Sequence, residues 1–232
     1  MTAPLSGEAL THLIDTTWPP ARKWSSDGWI LRDGAGGGNR VSAATAARVG
    51  ALPRIVDGIG LVMVRPGEET LDAALAAAGF TIKDPTLVME ADPGALALRP
   101  VDRLRAILCE RPPALMREIW REDGIGPERL AIMDRAAGPK VYLMGRVADR
   151  AAGCAFVAAA DDVAVLHALM VKGTARRQRL GADLTIGAAK WAVSQGCARL
   201  LLLVTEANAG ARALYARLGF EEVGRYHYRK RP

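Results

Sequence analysis

The stretch LHALMVKGTARRQRLGADLTIGAAKWAVSQGCARLLLLVTEANAGARALYARLGF, residues 166–220, reads as strand, basic loop, helix, strand, helix. The apolar run 166–171 suits a buried strand, and the loop from Lys172 to Arg179 is dense in arginine. A helical pattern over 180–195 ends at Gly196, a strand over 199–204 follows, and a helix over 209–217 ends at Gly219. A loop that feeds a helix N-terminus presents unpaired backbone N–H groups, and the helix dipole favours negative charge there. The sequence therefore proposes a phosphate-bearing ligand before it proposes a reaction.

Upstream, KVYLMGRVA (140–148), GCAFVAAA (153–160) and VAVLHALMV (163–171) are three strands. Short turns at Asp149–Arg150 and Asp161–Asp162 separate them, which favours an antiparallel meander. GPERLAIMDRAA (126–137) is a helix, and RPVDRLRAILCERPPALMREIW (99–120) gives helical pieces broken at Pro112 and Pro113. Near the N-terminus a short amphipathic helix over 5–17 is closed by Pro19 and Pro20. In GWILRDGAGGGNRVSAAT (28–45), two strand-like pieces flank a glycine cluster at 34–38, which suggests a hairpin. That cluster lacks a GxGxxG spacing opening a helix and lacks a Lys-Ser/Thr ending, so a turn is preferred to a nucleotide loop. A buried strand over 60–66, a helix over 68–80 ended by Gly79, and a strand over 81–92 with Pro85 at an edge or bulge complete the first half. The turn DPG at 92–94 is the best boundary, and a pair of strand-like segments occupies 220–230.

The chain has 232 residues, half of them hydrophobic and 24% charged, so it holds ample core material for one large domain or two small ones. Aromatics are only 5%, which leaves the core to Ala, Leu and Val. A net charge of +6 suits a polyanionic small ligand as well as nucleic acid. No aromatic residues interleave with the basic cluster to stack bases, which argues against nucleic acid. Cys109, Cys154 and Cys197 lie far apart, and His12, His167 and His227 show no metal-ligand spacing. Free thiols in a reducing cytosol are expected, with no metal. No basic segment followed by an apolar one opens the chain, and no apolar run is long enough to span a bilayer. A soluble cytoplasmic protein without membrane contact is the expectation.

LDAALAAAGFTIKDPTLVM (71–89) and ARALYARLGFEEVGRYHYR (211–229) both read as small-residue helix, Gly-Phe, strand, offset by 140 residues. Helix, glycine cap and strand also recur together in unrelated proteins. If the echo is real, Leu75 stands where Tyr215 stands.

The C-terminal half resembles the GNAT superfamily of acyl-CoA-dependent N-acyltransferases. The pyrophosphate loop of that family runs Arg or Gln, two residues, Gly, one residue, Gly or Ala. Arg176-Arg177-Gln178-Arg179-Leu180-Gly181 fits it at both ends, and Val171 ends the preceding strand as the family's valine does. The pattern Asn-x-x-Ala-x-x-Leu-Tyr is met by Asn208, Ala211, Leu214 and Tyr215, and Leu218-Gly219-Phe220 completes it. The match covers about 60 residues well and roughly 95–232 in element order. The resemblance implies an α/β fold with a mixed, largely antiparallel sheet flanked by helices. It implies two tandem GNAT-like halves: a degenerate copy over 1–94 and the catalytic domain over 95–232.

It further implies N-acetyl transfer from acetyl-CoA, as cosubstrate, to a primary amine by direct attack. The acceptor would be a small-molecule or peptide amine, and a homodimer is compatible with the family. Leu169, Met170 and Val171 would pair with the pantetheine arm and offer an N–H to the thioester carbonyl. Arg176, Arg177, Gln178, Arg179, Leu180, Gly181 and Ala182 would cradle the phosphates, with Lys172 adding charge. Asn208 is an N-cap first and a pantetheine contact second. Tyr215 would donate a proton to the departing thiolate, an uphill transfer from a phenol of pKa about 10 to a thiol of about 8.5. His167 and Glu206 are the candidates to take the amine's proton, beside a water relay. His167 on an apolar strand can equally be structural, and Glu206 a solvated loop acid.

Three departures stand out. Gly173 stands three residues before Arg176, where the family usually has a proline. Arg179 replaces the first loop glycine, which a helical backbone there would tolerate; it either adds a phosphate contact or loosens the grip. Leu203 stands five residues before Asn208, where many relatives carry a glutamate base. These departures keep open a CoA-binding sensor or regulatory module without chemistry.

Overall fold

Ser6 caps the first helix, α1 (Gly7–Thr17), by accepting from the Ala9 amide at 3.2 Å, and α1 buries Leu10, Leu13 and Ile14. The computed structural model describes residues 4–102 and 104–232; residues 1–3, at the start of the segment read for a signal, and Arg103, within the stretch read as helical, lie outside them. Strands β1 (Arg22–Ser26), β2 (Trp29–Asp33) and β3 (Thr45–Ala46) form a small antiparallel sheet, with the short helix α2 (Asn39–Ser42) before β3. Next come β4 (Leu61–Val64), α3 (Glu69–Ala77), β5 (Thr81–Ala91) and α4 (Pro93–Ala97). After them follow β6 (Ala106–Cys109), α5 (Ala114–Glu122) and α6 (Pro127–Arg135). The meander is β7 (Lys140–Val147), β8 (Arg150–Ala160) and β9 (Val163–Val171). A 3-10 turn (Gly173–Ala175), α7 (Leu180–Ser194), β10 (Arg199–Thr205), α8 (Ala209–Leu218) and β11 (Glu221–Lys230) complete the chain.

One eight-stranded sheet runs β4-β11-β5-β10-β9-β8-β7-β6. Every neighbouring pair is antiparallel except β9 and β10, so the fold is the mixed, mostly antiparallel α/β sheet flanked by helices. Residues before and after 94 build this sheet together, because β5 lies between β10 and β11. One face packs on α7 and α8 through Leu180, Leu184, Ala188 and Tyr215. The other carries α1 through Leu10 and Leu13, and α5 and α6 through Met116, Trp120 and Ile132.

Three elements differ from the sequence reading. Ala106–Cys109 is an edge strand on β7 rather than helix: a short apolar run fits either state, and the open edge of β7 decides it. Residues 221–230 form one strand with register shifts rather than a pair of strands. β2 and β3 do pair, but α2 sits in the connection, and β1 pairs with β2 on its other side. Pro85 sits at a bulge, one of the two places expected for it: the β5–β11 register shifts opposite Tyr226–Tyr228 and Asp84 turns left-handed at φ 48°.

The internal echo has matching backbone geometry. Phe80 N donates to Leu75 O at 3.0 Å and Phe220 N to Tyr215 O at 3.0 Å, each around a left-handed glycine, Gly79 or Gly219. Both helices thus end in the same cap and feed the adjacent strands β5 and β11.

Two irregularities position the site. β9 and β10 pair only from Val163↔Arg199 to Leu166↔Leu202; beyond that, β10 stays with β5 and β9 with β8. The sheet therefore opens as a wedge between His167–Val171 and Leu203–Thr205. In β9, Ala168 has φ 49° where the register to β8 shifts between Cys154 and Phe156. This bulge puts one extra residue on β9 and re-aims the chain beyond it. His167 and Ala168 consequently both face Trp18 and Trp120, while Leu169 and Val171 face α7 and α8. The Trp120 indole pins the bulge by donating to Ala168 O at 2.8 Å.

Candidate functional site

The first residue of α7 is seated by two glycines. A Cβ on Gly145 would lie 3.0 Å from Leu180, and one on Gly153 would lie 3.0 Å from Leu180 and 2.7 Å from Met170 O. Their absence lets Leu180 bury fully against β7 and β8 and holds the helix start beside the end of β9. Gly181 meets α8 closely, since a Cβ there would lie 3.0 Å from Leu214.

The amides of Arg177, Gln178, Arg179, Leu180, Gly181 and Ala182 donate to no acceptor among the described residues. Arg105, just before β6, holds the loop from behind. Its Nε donates to the buried Asp183 carboxylate at 2.6 Å, and its Nη2 to Gln178 O at 2.6 Å. Arg176, Arg177 and Arg179 are exposed and make no ion pair among the described residues. Lys172 is instead paired with Glu122 at 3.0 Å. Arg179 is not helical: it adopts the left-handed conformation at φ 65°, as does Arg177 at φ 63°. A row of free amides at a helix start, flanked by unpaired guanidinium groups, is chemically suited to a diphosphate.

Tyr215 lies on α8, on the face shared by Leu169, Val171 and Leu214. It is buried, its ring 5.5 Å from that of Phe220, and its hydroxyl makes no hydrogen bond to a described residue. Burial pushes the phenol up to about 12, so it holds its proton throughout the neutral range. Asn208 caps α8, its Oδ1 accepting from Ala211 N at 3.0 Å.

On the opposite face, the mouth of the wedge opens into a cavity of about 280 Å³ that Ala168 and Thr205 border. Arg40, Asn39, Asp84, Arg129, Tyr226 and Tyr228 supply its polar lining, and Gly37 and Gly38 of the glycine cluster form part of the wall. Sequence reading did not reach Arg40, Asp84, Arg129 or Arg105, because long-range folding alone brings them to the wedge or the loop. The glycine cluster was the one local signal nearby, and it read as a turn.

His167 is buried beneath Arg40. Thr17 Oγ1 donates its proton to Leu13 O at 2.6 Å, so it accepts from His167 Nε2–H at 3.0 Å. Nδ1 is then the acceptor for Arg40 Nη1 at 3.3 Å. Burial, with the Arg40 charge adding to it, holds this imidazole well below the usual histidine range. His167 is thus neutral with its lone pair engaged. Glu206 follows Thr205; its Oε1 accepts from Arg225 at 2.9 Å, and Oε2 has no partner among the described residues. Burial works against the Arg40 charge, but the phenol oxygens of Tyr226 and Tyr228 beside it shift the balance upward, so Arg40 stays cationic. Among the described residues no group of three His, Cys, Asp or Glu could hold a metal, and no helix is long and apolar enough to cross a membrane.

The family model for acetyltransferases (GNAT) matches residues 103–220, just over half of the chain. No curated protein matches the chain in sequence. Among solved structures, a GCN5-related N-acetyltransferase from Kribbella flavida is similar over 100% of this chain and 97% of its own, with 19% identity and a TM-score of 0.73. A tandem GNAT protein from the clavulanic acid biosynthesis pathway is similar over 99% and 90%, with 15% identity and a TM-score of 0.60. A putative GNAT-family acetyltransferase from Novosphingobium aromaticivorans is similar over 90% and 92%, with 16% identity and a TM-score of 0.55. At these identities the likeness establishes a common fold.

Proposed function

The chain belongs to the GNAT family of acetyltransferases, and from that premise we propose that it moves an acetyl group from acetyl-CoA to a primary amine by direct attack. The carrying observation is the loop before α7: consecutive unpartnered amides and three unpaired arginines, braced by Arg105. Arg176, Arg177 and Arg179 and the amides from Gln178 to Ala182 would hold the diphosphate. The backbone of Leu169–Val171, freed from β10 by the wedge, would align the pantetheine arm, and Asn208 would border it.

When bound, acetyl-CoA supplies an activated acyl thioester. The amine nitrogen bonds to the acyl carbon, the carbon–sulfur bond breaks, and the amine's proton leaves to solvent or a carboxylate. Tyr215 gives its proton to the sulfur. Its raised pKa makes the transfer harder in isolation, but a thiolate in the same dry setting is also more basic, which narrows the gap. His167 keeps no free lone pair for base work and acts as a positioning residue for Arg40. Glu206, at the rim with one free oxygen, takes the amine's proton through water. Residues 1–94 serve as the acceptor wall, contributing Asn39, Arg40 and Asp84.

The test is release of free thiol from acetyl-CoA in the presence of an amine panel, beside calorimetric binding of acetyl-CoA. Thiol release that depends on an amine is expected; failure to bind acetyl-CoA would sink the reading. The left-handed Arg179 and Leu203 at the family's base position favour a second reading, a CoA-binding module without turnover. Tight binding with no thiol release from any amine would select it.

A further inference from the structure

We infer that the acceptor is a small amine that also carries a carboxylate, held by Arg40 and Arg129 in the cavity at the mouth of the wedge. This rests on the acetyl-transfer reading for its chemistry but on independent geometry for its ligand. The buried Arg32 and Arg65 each face a carboxylate at ion-pair distance, as does the half-buried Arg199. Arg40 and Arg129 have no such partner among the described residues, yet both line one cavity. Arg40 donates to the neutral His167 at 3.3 Å and lies against the hydroxyls of Tyr226 and Tyr228, and its Nε is buried without a partner.

Arg40 is half-buried with its Nε cut off from water, and a guanidinium partly withdrawn from water without a counter-ion gains when something anionic joins it. The surrounding groups set up such an arrival. His167 accepts from one edge of Arg40 and fixes the plane of the fork. The hydroxyls of Tyr226 and Tyr228 lie beside it and can donate to an oxyanion. Two guanidinium groups and two phenols suit a planar carboxylate, which accepts along several lone pairs at once.

The same cavity holds one carboxylate of its own. Asp84 Oδ2 accepts from Asn39 at 2.8 Å and lies 3.8 Å from Lys83 Nζ, while Oδ1 has no partner among the described residues. Asp84 is therefore placed to receive the ammonium of an incoming zwitterion. A volume near 280 Å³ is that of a small-molecule site, which points to a free amino acid or a close analogue rather than a folded protein.

The experiment pairs amino acids with the amines left by their decarboxylation: tyrosine with tyramine, histidine with histamine, lysine with cadaverine, phenylalanine with phenethylamine, beside the remaining standard amino acids. Each is titrated calorimetrically into the protein loaded with CoA, and each is assayed for thiol release with acetyl-CoA. At least one amino acid is expected to bind and react about tenfold or more better than its carboxyl-free counterpart. Arg129→Gln and Arg40→Lys are expected to raise KM for that amino acid about tenfold, with a smaller change in kcat, and to erase the preference. Equal handling of both members of every pair, or a preference unchanged in both variants, overturns the inference. So does failure of every amino acid to bind and react. Arg40-dependent binding without thiol release would instead sink acetyl transfer and leave the ligand class standing.

Discussion

His167 Nδ1 accepts a hydrogen bond from Arg40 Nη1 at 3.3 Å, joining the meander to the short helix that follows the glycine cluster. The histidine is neutral there because burial disfavours its charge and the neighbouring guanidinium adds to that. The unfolded chain, by contrast, takes up a proton below about pH 6.5.

Stability should therefore fall on acidification. Below pH 6.5 the unfolded state binds a proton that the folded state refuses, which costs about 1.4 kcal/mol per pH unit until the lowered folded-state pKa is reached. Thermal melts of the wild type and of His167→Gln between pH 7.5 and 5 check this. The variant should start lower at pH 7.5 and lose less on acidification. Parallel slopes would mean His167 does not titrate in this way.

Tyr215→Phe should lower kcat by about 100-fold or more, with the affinity for acetyl-CoA little changed, because the ring still packs on Phe220. With the phenol pushed up to about 12, any alkaline loss of rate below about pH 11 must come from another group. The pH–rate profile of the wild type and the kcat of the variant decide both points.

Arg105→Met should damage two properties that can be separated. It leaves the buried Asp183 carboxylate without its cation, which should cost about 2 kcal/mol or more of stability. It also frees Gln178 O and slackens the loop, which should weaken acetyl-CoA binding about tenfold. Adding Asp183→Asn should recover much of the stability and none of the affinity. Melting temperatures and calorimetric Kd values for both variants provide the check.

Arg179→Gly should relieve a left-handed side-chain-bearing residue. The net change in stability should lie between zero and about 1 kcal/mol in favour of the variant, since glycine also frees the unfolded chain. Acetyl-CoA affinity should fall severalfold and depend less on salt if the guanidinium meets a phosphate. An unchanged salt dependence would remove Arg179 from the phosphate site.

Much of the architecture was legible because local signals and tertiary demands agree. The meander, α7, β10 and α8 carry clear periodicity, with Gly196 and Gly219 past the helix ends. Asn208 caps α8 as its residue type favours. The strand at Ala106–Cys109 was not legible, since four apolar residues show no period and only the free edge of β7 selects their state. Arg179 was expected in helical backbone, because nothing in its own identity reveals that the loop must reverse there. The cavity was hidden more deeply. Its polar groups come from residues 39, 40, 84, 129, 226 and 228, which no spacing rule connects until the sheet has formed.

The interleaving of β5 between β10 and β11 constrains how this protein is made. Residues 221–230 must emerge from the ribosome before strands near residues 62 and 86 acquire their final neighbour. Until then an apolar N-terminal segment waits with an open edge, exposed to aggregation or to chaperones. Biogenesis, and with it sensitivity to truncation, is therefore governed by the arrival of one late strand.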